Sequence, residues 1–235
     1  MLLPAFTRPI TSYAKFRACA SRMLRNRAFQ LRRPRVRQLR YLNVGCGWNT
    51  DPRFINVDAL WHSGIDVCWD ISRGLPFASA SMRGLFTEHC LEHFSMPGVV
   101  RFLAECRRVL APGCTLRVVV PDAELYLRAY CALPDGGGPR FPYPNDALFE
   151  GIHAPLLAVN RVFYQDRESP TGHRCMFDYA LLEALLLRCG FDAVRRCAFR
   201  DGADATLLID TRSRAQESLY VEACAAQAAD AGKSC

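Results

Sequence analysis

Gly45, Gly47 and Asp58 have the residue types and the spacing to bind a nucleoside. Tyr41 to Val44 is a short apolar run of strand formers, and the two glycines that close it lack a Cβ, so the backbone there can turn sharply and approach a ligand. Ile55-Asn-Val-Asp58 reads as a second short strand with a carboxylate at its tip. One ionised carboxylate can accept hydrogen bonds from both hydroxyls of a ribose, which points to a nucleoside-containing cofactor. A dinucleotide fits less well. It calls for Gly-x-Gly-x-x-Gly/Ala with an acid about 20 residues on, whereas here the third small residue would be Thr50 and Asp58 follows Gly45 by only 13 residues. Asp70 offers a further acid at the end of the next element, followed by Ile71. Both acids also have plain structural uses: Asp58 could cap a turn, and Asp70 the loop containing Ser72.

Histidines supply the second set of chemical groups. Glu88 and His89 follow a predicted fourth strand and face the crevice where ligands lie in open α/β sheets. His173 sits beside Gly172 on a loop. An imidazole near neutrality can take the proton of a hydroxyl acceptor, so His89 and His173 are the candidate catalytic bases. His89 and His93, four residues apart, would share one face of a helix and suggest a metal pair. Glu92 on such a helix points elsewhere, and no third ligand with motif spacing is present, so no metal site is expected.

Positioning these residues requires alternating elements. Strands are predicted at 41–45, 54–58, 65–68, 83–87, 114–120, 191–199 and 219–225. A helix is predicted over 97–110, capped by Ser95, striped by Val99, Phe102, Leu103, Cys106 and Leu110, and stopped by Pro112-Gly113. Asp178 caps another through Cys189, with Gly190 at its left-handed stop. Seven strands with helices between them make a doubly wound, Rossmann-like, mostly parallel α/β sheet. The short gap between Gly47 and Asp58 leaves room for about one turn of helix in the first crossover.

In their order, Gly-x-Gly, Asp58 and Asp70 resemble the class I S-adenosylmethionine (SAM)-dependent methyltransferases. The resemblance implies that the Gly45-Cys46-Gly47 turn passes under the amino-acid end of SAM, that Asp58 holds the ribose, that Asp70 with Ile71 meets the adenine, and that Glu88 and His89 line the pocket. Asn43 stands at the cofactor's end where many of these enzymes place an acid, so the methionine ammonium would rely on backbone carbonyls or another side chain. Leu75-Pro-Phe77, Glu88-His-Cys-Leu-Glu-His93, Arg108-Val-Leu-Ala-Pro-Gly113, Gly172-His173 and Ser218-Leu-Tyr-Val-Glu222 are similar to motifs of a bacterial branch often found beside glycan-assembly enzymes. That branch implies a small-molecule or glycan-related acceptor, a sugar hydroxyl first. The alternatives are an RNA methyltransferase and a non-catalytic binding module that keeps the fold.

The charge is unevenly distributed. Residues 1–40 hold ten Arg and one Lys with no acid, while the whole chain carries a formal +7, so the remainder is net acidic. Such an arm, with apolar residues at a loose helical spacing, can meet an anionic membrane surface or nucleic acid, or it can pack a turn against the core. The catalytic domain is expected over 41–225, with a lid-like insertion at about 123–177 that interleaves prolines, Gly136 to Gly138 and aromatic rings, and with a frayed tail at 226–235. No apolar run reaches the length of a membrane span, and the twelve cysteines contain no Cys-x-x-Cys. A cytoplasmic protein with reduced thiols is expected, peripheral at the inner membrane surface if the arm binds lipid.

Overall fold

The computed structural model describes residues 27–132, 155–163 and 172–227. The predicted arm before residue 27, the Gly136 to Gly138 run with most of the insertion's aromatic residues, and the tail from 228 lie outside the described residues. Among the described residues the strands are β1 (Tyr41–Val44), β2 (Ile55–Asp58), β3 (Val67–Cys68), β4 (Met82–Glu88), β5 (Leu110–Pro121), β6 (Phe191–Cys197) and β7 (Ser218–Ala225). Six helices accompany them: α1 (Arg27–Arg32), α2 (Pro34–Gln38), α3 (Met96–Val109), α4 (Ala123–Cys131), α5 (Pro155–Phe163) and α6 (Tyr179–Arg188).

The strands form one sheet in the order β3-β2-β1-β4-β5-β7-β6. Pairings from β3 through β5 are parallel, and β7 runs antiparallel to both β5 and β6. The first five strands thus follow the doubly wound order 3-2-1-4-5, whose direction of winding reverses between β1 and β4. A ligand crevice opens at that switch point, beyond the carboxyl ends of the strands.

Period-two alternation divides the sheet's side chains between two faces. Leu42, Val44, Leu85, Leu116, Val118, Val120 and Val221 meet the stripes of α3 (Val99, Phe102, Leu103, Cys106) and α6 (Leu182, Leu185, Leu186) in the main core. On the other face Phe86, Val119 and Tyr220 pack with Phe54, Leu207 and Ile209. The cover there includes residues 198–210, laid over the strands as irregular chain with one 3-10 turn at Ala205–Leu207. Arg117 of β5 fixes this cover. Its side chain is fully buried, and every N–H of the guanidinium is used: Nε and Nη2 on Asp210 (2.8 and 2.6 Å), Nη1 on Glu222 and the Asp201 carbonyl, Nη2 also on the Ala198 carbonyl. A charge out of water is tolerable only with such complete pairing.

Local signals behaved as their chemistry dictates. Asp178 Oδ1 accepts the Leu181 N–H at 2.8 Å, and Gly190 adopts φ +85° after α6. Ser95 precedes α3, but its hydroxyl caps nothing, and its carbonyl accepts the Val99 N–H instead. The first crossover holds no helical turn. Asp51 Oδ1 accepts the Arg53 N–H at 2.8 Å, an Asx turn that competes with helix, and Asn56 takes the Asp51 N–H. The described end of the basic arm docks on the β2–β3 side of the sheet: Arg35 pairs with Asp66 (2.8 Å) and donates to the Phe54 carbonyl, while Val36 is buried. Where the insertion is described, α4 and α5 pack on each other. The ten described cysteines are free thiols, with Cys46, Cys68, Cys90 and Cys106 buried.

Candidate active site

β1 ends in a turn that only glycine tolerates. Gly45 has φ +68°, and a Cβ there would overlap Cys90 Sγ and lie 2.9 Å from Cys90 Cβ. Gly47 has φ +50°, but a Cβ on it would meet nothing, so the loop is open on that side. The Gly45 N–H bonds to the Val57 carbonyl of the neighbouring strand at 2.8 Å, which ties the turn to β2. From the tip of β2, Asp58 holds the loop with one oxygen on the Gly47 N–H (2.9 Å) and the other on the Leu60 N–H (2.8 Å). Each carboxylate oxygen keeps a second lone-pair site for a ligand hydroxyl.

Gly45, Gly47, Asp58, Asp70, Ile71 and His89 all line one open cavity of about 1320 Å³. That exceeds the roughly 300–1,000 Å³ of a pocket for one drug-sized ligand, leaving room for two reactants. Asp70 serves both readings that its sequence position allows. Its Oδ1 accepts the Ser72 N–H and hydroxyl (3.2 and 2.6 Å), capping the turn Ile71–Arg73, and the residue still walls the cavity.

Three expected cofactor contacts have side chains that stand behind the wall and not on it. Asn43, nearly fully buried, donates to the Asn49 carbonyl at 2.7 Å and to Asn56 Oδ1, bracing the loop from beneath. The Cys46 thiol is buried with Ile65 and Cys68, and desolvation pushes its pKa well up. Glu88 accepts the Thr211 N–H and hydroxyl on one side and Asn49 on the other (2.9, 2.5 and 3.1 Å), clasping the glycine loop to the segment before β7. Asn43 and Glu88 spend their polar atoms on neighbouring chain and the Cys46 thiol points into the core beneath the loop, which leaves Gly45, Gly47 and the Asp58 tip to meet a ligand.

Trp48 was not singled out by the sequence reading. It lines the cavity and stacks on His62 with ring centroids 4.3 Å apart, while His62 Nε2 lies 2.6 Å from the Gly47 carbonyl. An aromatic residue directly after the second glycine was the signal available for it.

The histidine segment departs furthest from expectation. It is no α-helix: His89 has φ +47°, and Leu91–His93 is a single 3-10 turn. Leu91 and Glu92 consequently turn inward, and the Glu92 side chain is 1% exposed, which corrects the expectation that it points elsewhere. Its carbonyl accepts the N–H groups of Arg174 (2.6 Å) and Cys175 (3.3 Å), which pins the loop after Gly172 against this turn. His173 is thereby brought beside it, with Nε2 3.9 Å from Glu92 Oε1 and its ring edge-on to His93 at 4.9 Å. The third group absent from the local sequence spacing comes from 80 residues downstream.

Hydrogen bonds fix the tautomers. His89 Nδ1 lies 3.1 Å from Arg214 Nη1, which can only donate, so Nδ1 accepts and Nε2–H is left for Ser218 Oγ at 2.9 Å. Burial, aided by Arg214, drives its pKa down to about 3, so the ring is neutral with both nitrogens engaged. His173 Nδ1 lies 2.8 Å from the Val162 carbonyl, which can only accept, so the lone pair is on Nε2; burial lowers its pKa also. Burial raises the Glu92 carboxyl to about 8.

Residues 42–118 match the family model of a methyltransferase domain. Over that stretch the chain carries a methyltransferase domain. Its cofactor is SAM. The match covers β1 through much of β5, and the glycine turn, Asp58, Asp70 and the histidine turn all lie inside it. Solved structures similar to this methyltransferase include a SAM-dependent methyltransferase from Archaeoglobus fulgidus, 16% identical with a TM-score of 0.46 over 91% of this chain and 100% of that one. A second is the 1,6-didemethyltoxoflavin-N1-methyltransferase of Burkholderia thailandensis, 14% identical with a TM-score of 0.47 over 92% and 86%. A possible histamine N-methyltransferase from Thermotoga maritima is 16% identical with a TM-score of 0.48 over 93% and 96%. No curated protein matches the chain. No helix among the described residues is long and apolar enough to cross a membrane.

Proposed function

We propose that this methyltransferase acts on an oxygen of a small hydroxyl-bearing acceptor, a glycan sugar first. The observation that carries the reading is that one cavity joins the glycine turn and its acids to the histidine turn, with His93, Phe94 and Arg174 walling the far end. SAM, when bound, supplies an electrophilic sulfonium methyl. Gly45 and Gly47 give its amino-acid end an unobstructed backbone floor, Asp58 accepts from the ribose hydroxyls, and Asp70 with Ile71 flanks the adenine. The turn suits such a ligand: Cys90 leaves room for nothing larger than glycine at 45, and the backbone at Gly47 faces open space in the cavity wall.

In this reading the protein's main task is alignment, holding the acceptor oxygen in line with the departing sulfur. His89 is a positioning residue. It cannot take a proton without giving up the Arg214 bond, and it links β4 to Ser218 at the start of β7. The acceptor oxygen is received at His93 on the cavity wall, with Glu92 and His173 packed behind it. The RNA reading has less to draw on at the described end of the arm, where Arg33 donates to the Asp66 carbonyl and Arg35 to the Asp66 carboxylate and the Phe54 carbonyl, so that two of its cations are already engaged within the domain.

The test is turnover by the full chain, followed as S-adenosylhomocysteine release, with oligosaccharides and sugar nucleotides on one side and bulk RNA at low and high salt on the other. The expected result is methylation of a hydroxyl compound, located on oxygen by mass spectrometry. Salt-sensitive turnover of RNA alone would replace this reading, and cofactor binding with no turnover of either class would leave the binding module.

A further inference from the structure

We propose that Glu92, His93 and His173 form a binding site for a divalent first-row transition-metal cation at the acceptor end of the cavity. One ligand atom from each of the three lies within 4.8 Å of the others. Ligands held at about 2.0–2.2 Å around a tetrahedral centre stand roughly 3.4 Å apart, so a cation would draw the set in by about an ångström.

Four features point to a cation. First, Glu92 is buried, neither of its carboxylate oxygens makes a hydrogen bond among the described residues, and the nitrogens that approach Oε1, His89 Nδ1 at 3.4 Å and His173 Nε2 at 3.9 Å, both carry lone pairs in the tautomers above. A buried carboxylate requires pairing or a metal. The nearby guanidinium of Arg214 is turned to Glu217 Oε1 (3.1 Å) and His89 Nδ1 and not to Glu92. Second, His173 donates Nδ1–H to a main-chain carbonyl and presents the Nε2 lone pair toward Glu92, which is the arrangement that orients a metal-binding imidazole. Third, the site is built from two segments that the Glu92 carbonyl itself locks together through Arg174 and Cys175, so the donors are held in place before anything binds. Fourth, two imidazoles and one carboxylate suit zinc, cobalt, manganese or iron better than magnesium or calcium, which prefer all-oxygen sets.

Three protein ligands are the number found at catalytic sites, which leave a position open. His93 and Arg174 wall the cavity while Glu92 and His173 stand behind them, so a cation held by the three would reach the acceptor beside His93, where a hydroxyl oxygen would be the next ligand. That role rests on the oxygen-acceptor reading above; the cation site does not. A metal here would hold an acceptor through oxygen and favour one bearing adjacent hydroxyls, which could chelate it.

The test uses full-length protein stripped with chelator, dialysed and titrated with Co²⁺ in the visible range, with Mn²⁺ binding followed by electron paramagnetic resonance. The expected result is one equivalent bound through nitrogen and oxygen, without thiolate charge-transfer absorption, and an affinity at least tenfold weaker in both Glu92→Gln and His173→Ala. Thermal melts and S-adenosylhomocysteine binding show that both variants remain folded. Absence of stoichiometric binding, a thiolate spectrum, or equal affinity in the two folded variants would overturn the site. Stoichiometric binding in a protein that never methylates a hydroxyl would keep the cation and discard the oxygen acceptor.

Discussion

Replacing Asp58 with Ala should weaken SAM and S-adenosylhomocysteine by at least two orders of magnitude. The carboxylate stands at the tip of β2 with its oxygens on the Gly47 and Leu60 N–H groups, and its remaining lone pairs face the cavity. Two charge-assisted bonds to ribose hydroxyls at about 1.5–3 kcal/mol each amount to roughly 3–6 kcal/mol, or about 10² to 10⁴ in affinity. The same substitution frees two loop N–H groups, at about 0.5–1.5 kcal/mol each. In a domain of this size that lowers the melting temperature by only several degrees, because each kcal/mol moves it about 2–4 °C. Isothermal titration of the full chain with both ligands, beside a thermal melt, separates the two effects. Asp58→Asn keeps one acceptor oxygen and should fall between, about 10- to 100-fold weaker. A folded Asp58→Ala protein that binds either ligand within about threefold of the wild type would refute the assignment of ribose to this carboxylate.

Other outcomes follow from the same coordinates. Gly45→Ala must overlap the Cys90 thiol and hold φ +68°, at about 1–2 kcal/mol for the backbone alone. Calorimetry should show weakened cofactor binding, and Gly45→Ala/Cys90→Gly should recover part of it. Arg117→Met would leave Asp210 buried without its guanidinium and Glu222 with Arg195 alone, a loss of about 3–5 kcal/mol, measurable as a fall in melting temperature of at least about 6 °C; Arg117→Lys, with three donors for five bonds, should fall between. Glu105 pairs bidentately with Arg108 and accepts the Leu75 N–H, and the Arg108 bond lowers its pKa below the ordinary carboxylate value. A depressed folded pKa means stability that is present above the unfolded value near pH 4.3 and lost as pH falls through the folded one. In urea melts, the gap between wild type and Glu105→Gln should therefore be full at pH 7 and close below pH 4.

Much of this was legible in the chain because the signals are local. Gly-x-Gly after a strand, an acid at the next strand's tip, Asp178 before α6 and Gly190 after it each act within a few residues, and the structure has them where their chemistry requires. The misreadings have a common origin in distance. Glu92 was assigned outward because Glu88 to His93 was read as α-helix, but a left-handed His89 and one 3-10 turn rotate the carboxylate inward, and the partner His173 is 81 residues away. Likewise, residues 114–120 read as a strand, and they lie within β5. The cover over Arg117 is nonetheless ionic, because Asp210 and Glu222 arrive about a hundred residues later. Asn43 and Glu88 looked like ligand contacts from their neighbourhood in sequence. Only the tertiary partners Asn49, Asn56 and Thr211 reveal them as braces.

The position of β7 between β5 and β6 sets an order of events during synthesis. β6 leaves the ribosome first yet, among the described residues, pairs only with β7, so it has no edge to join until residues 218–225 have emerged. Until then β5 presents an unpaired edge of backbone N–H and C=O groups to its surroundings. The Glu222 carboxylate that completes the pairing of Arg117 arrives on the same strand. A nascent chain thus carries an open sheet and an under-paired interior charge for as long as residues 218–225 are in the exit tunnel, and its yield in cells should depend on chaperone capacity more than its finished stability would suggest.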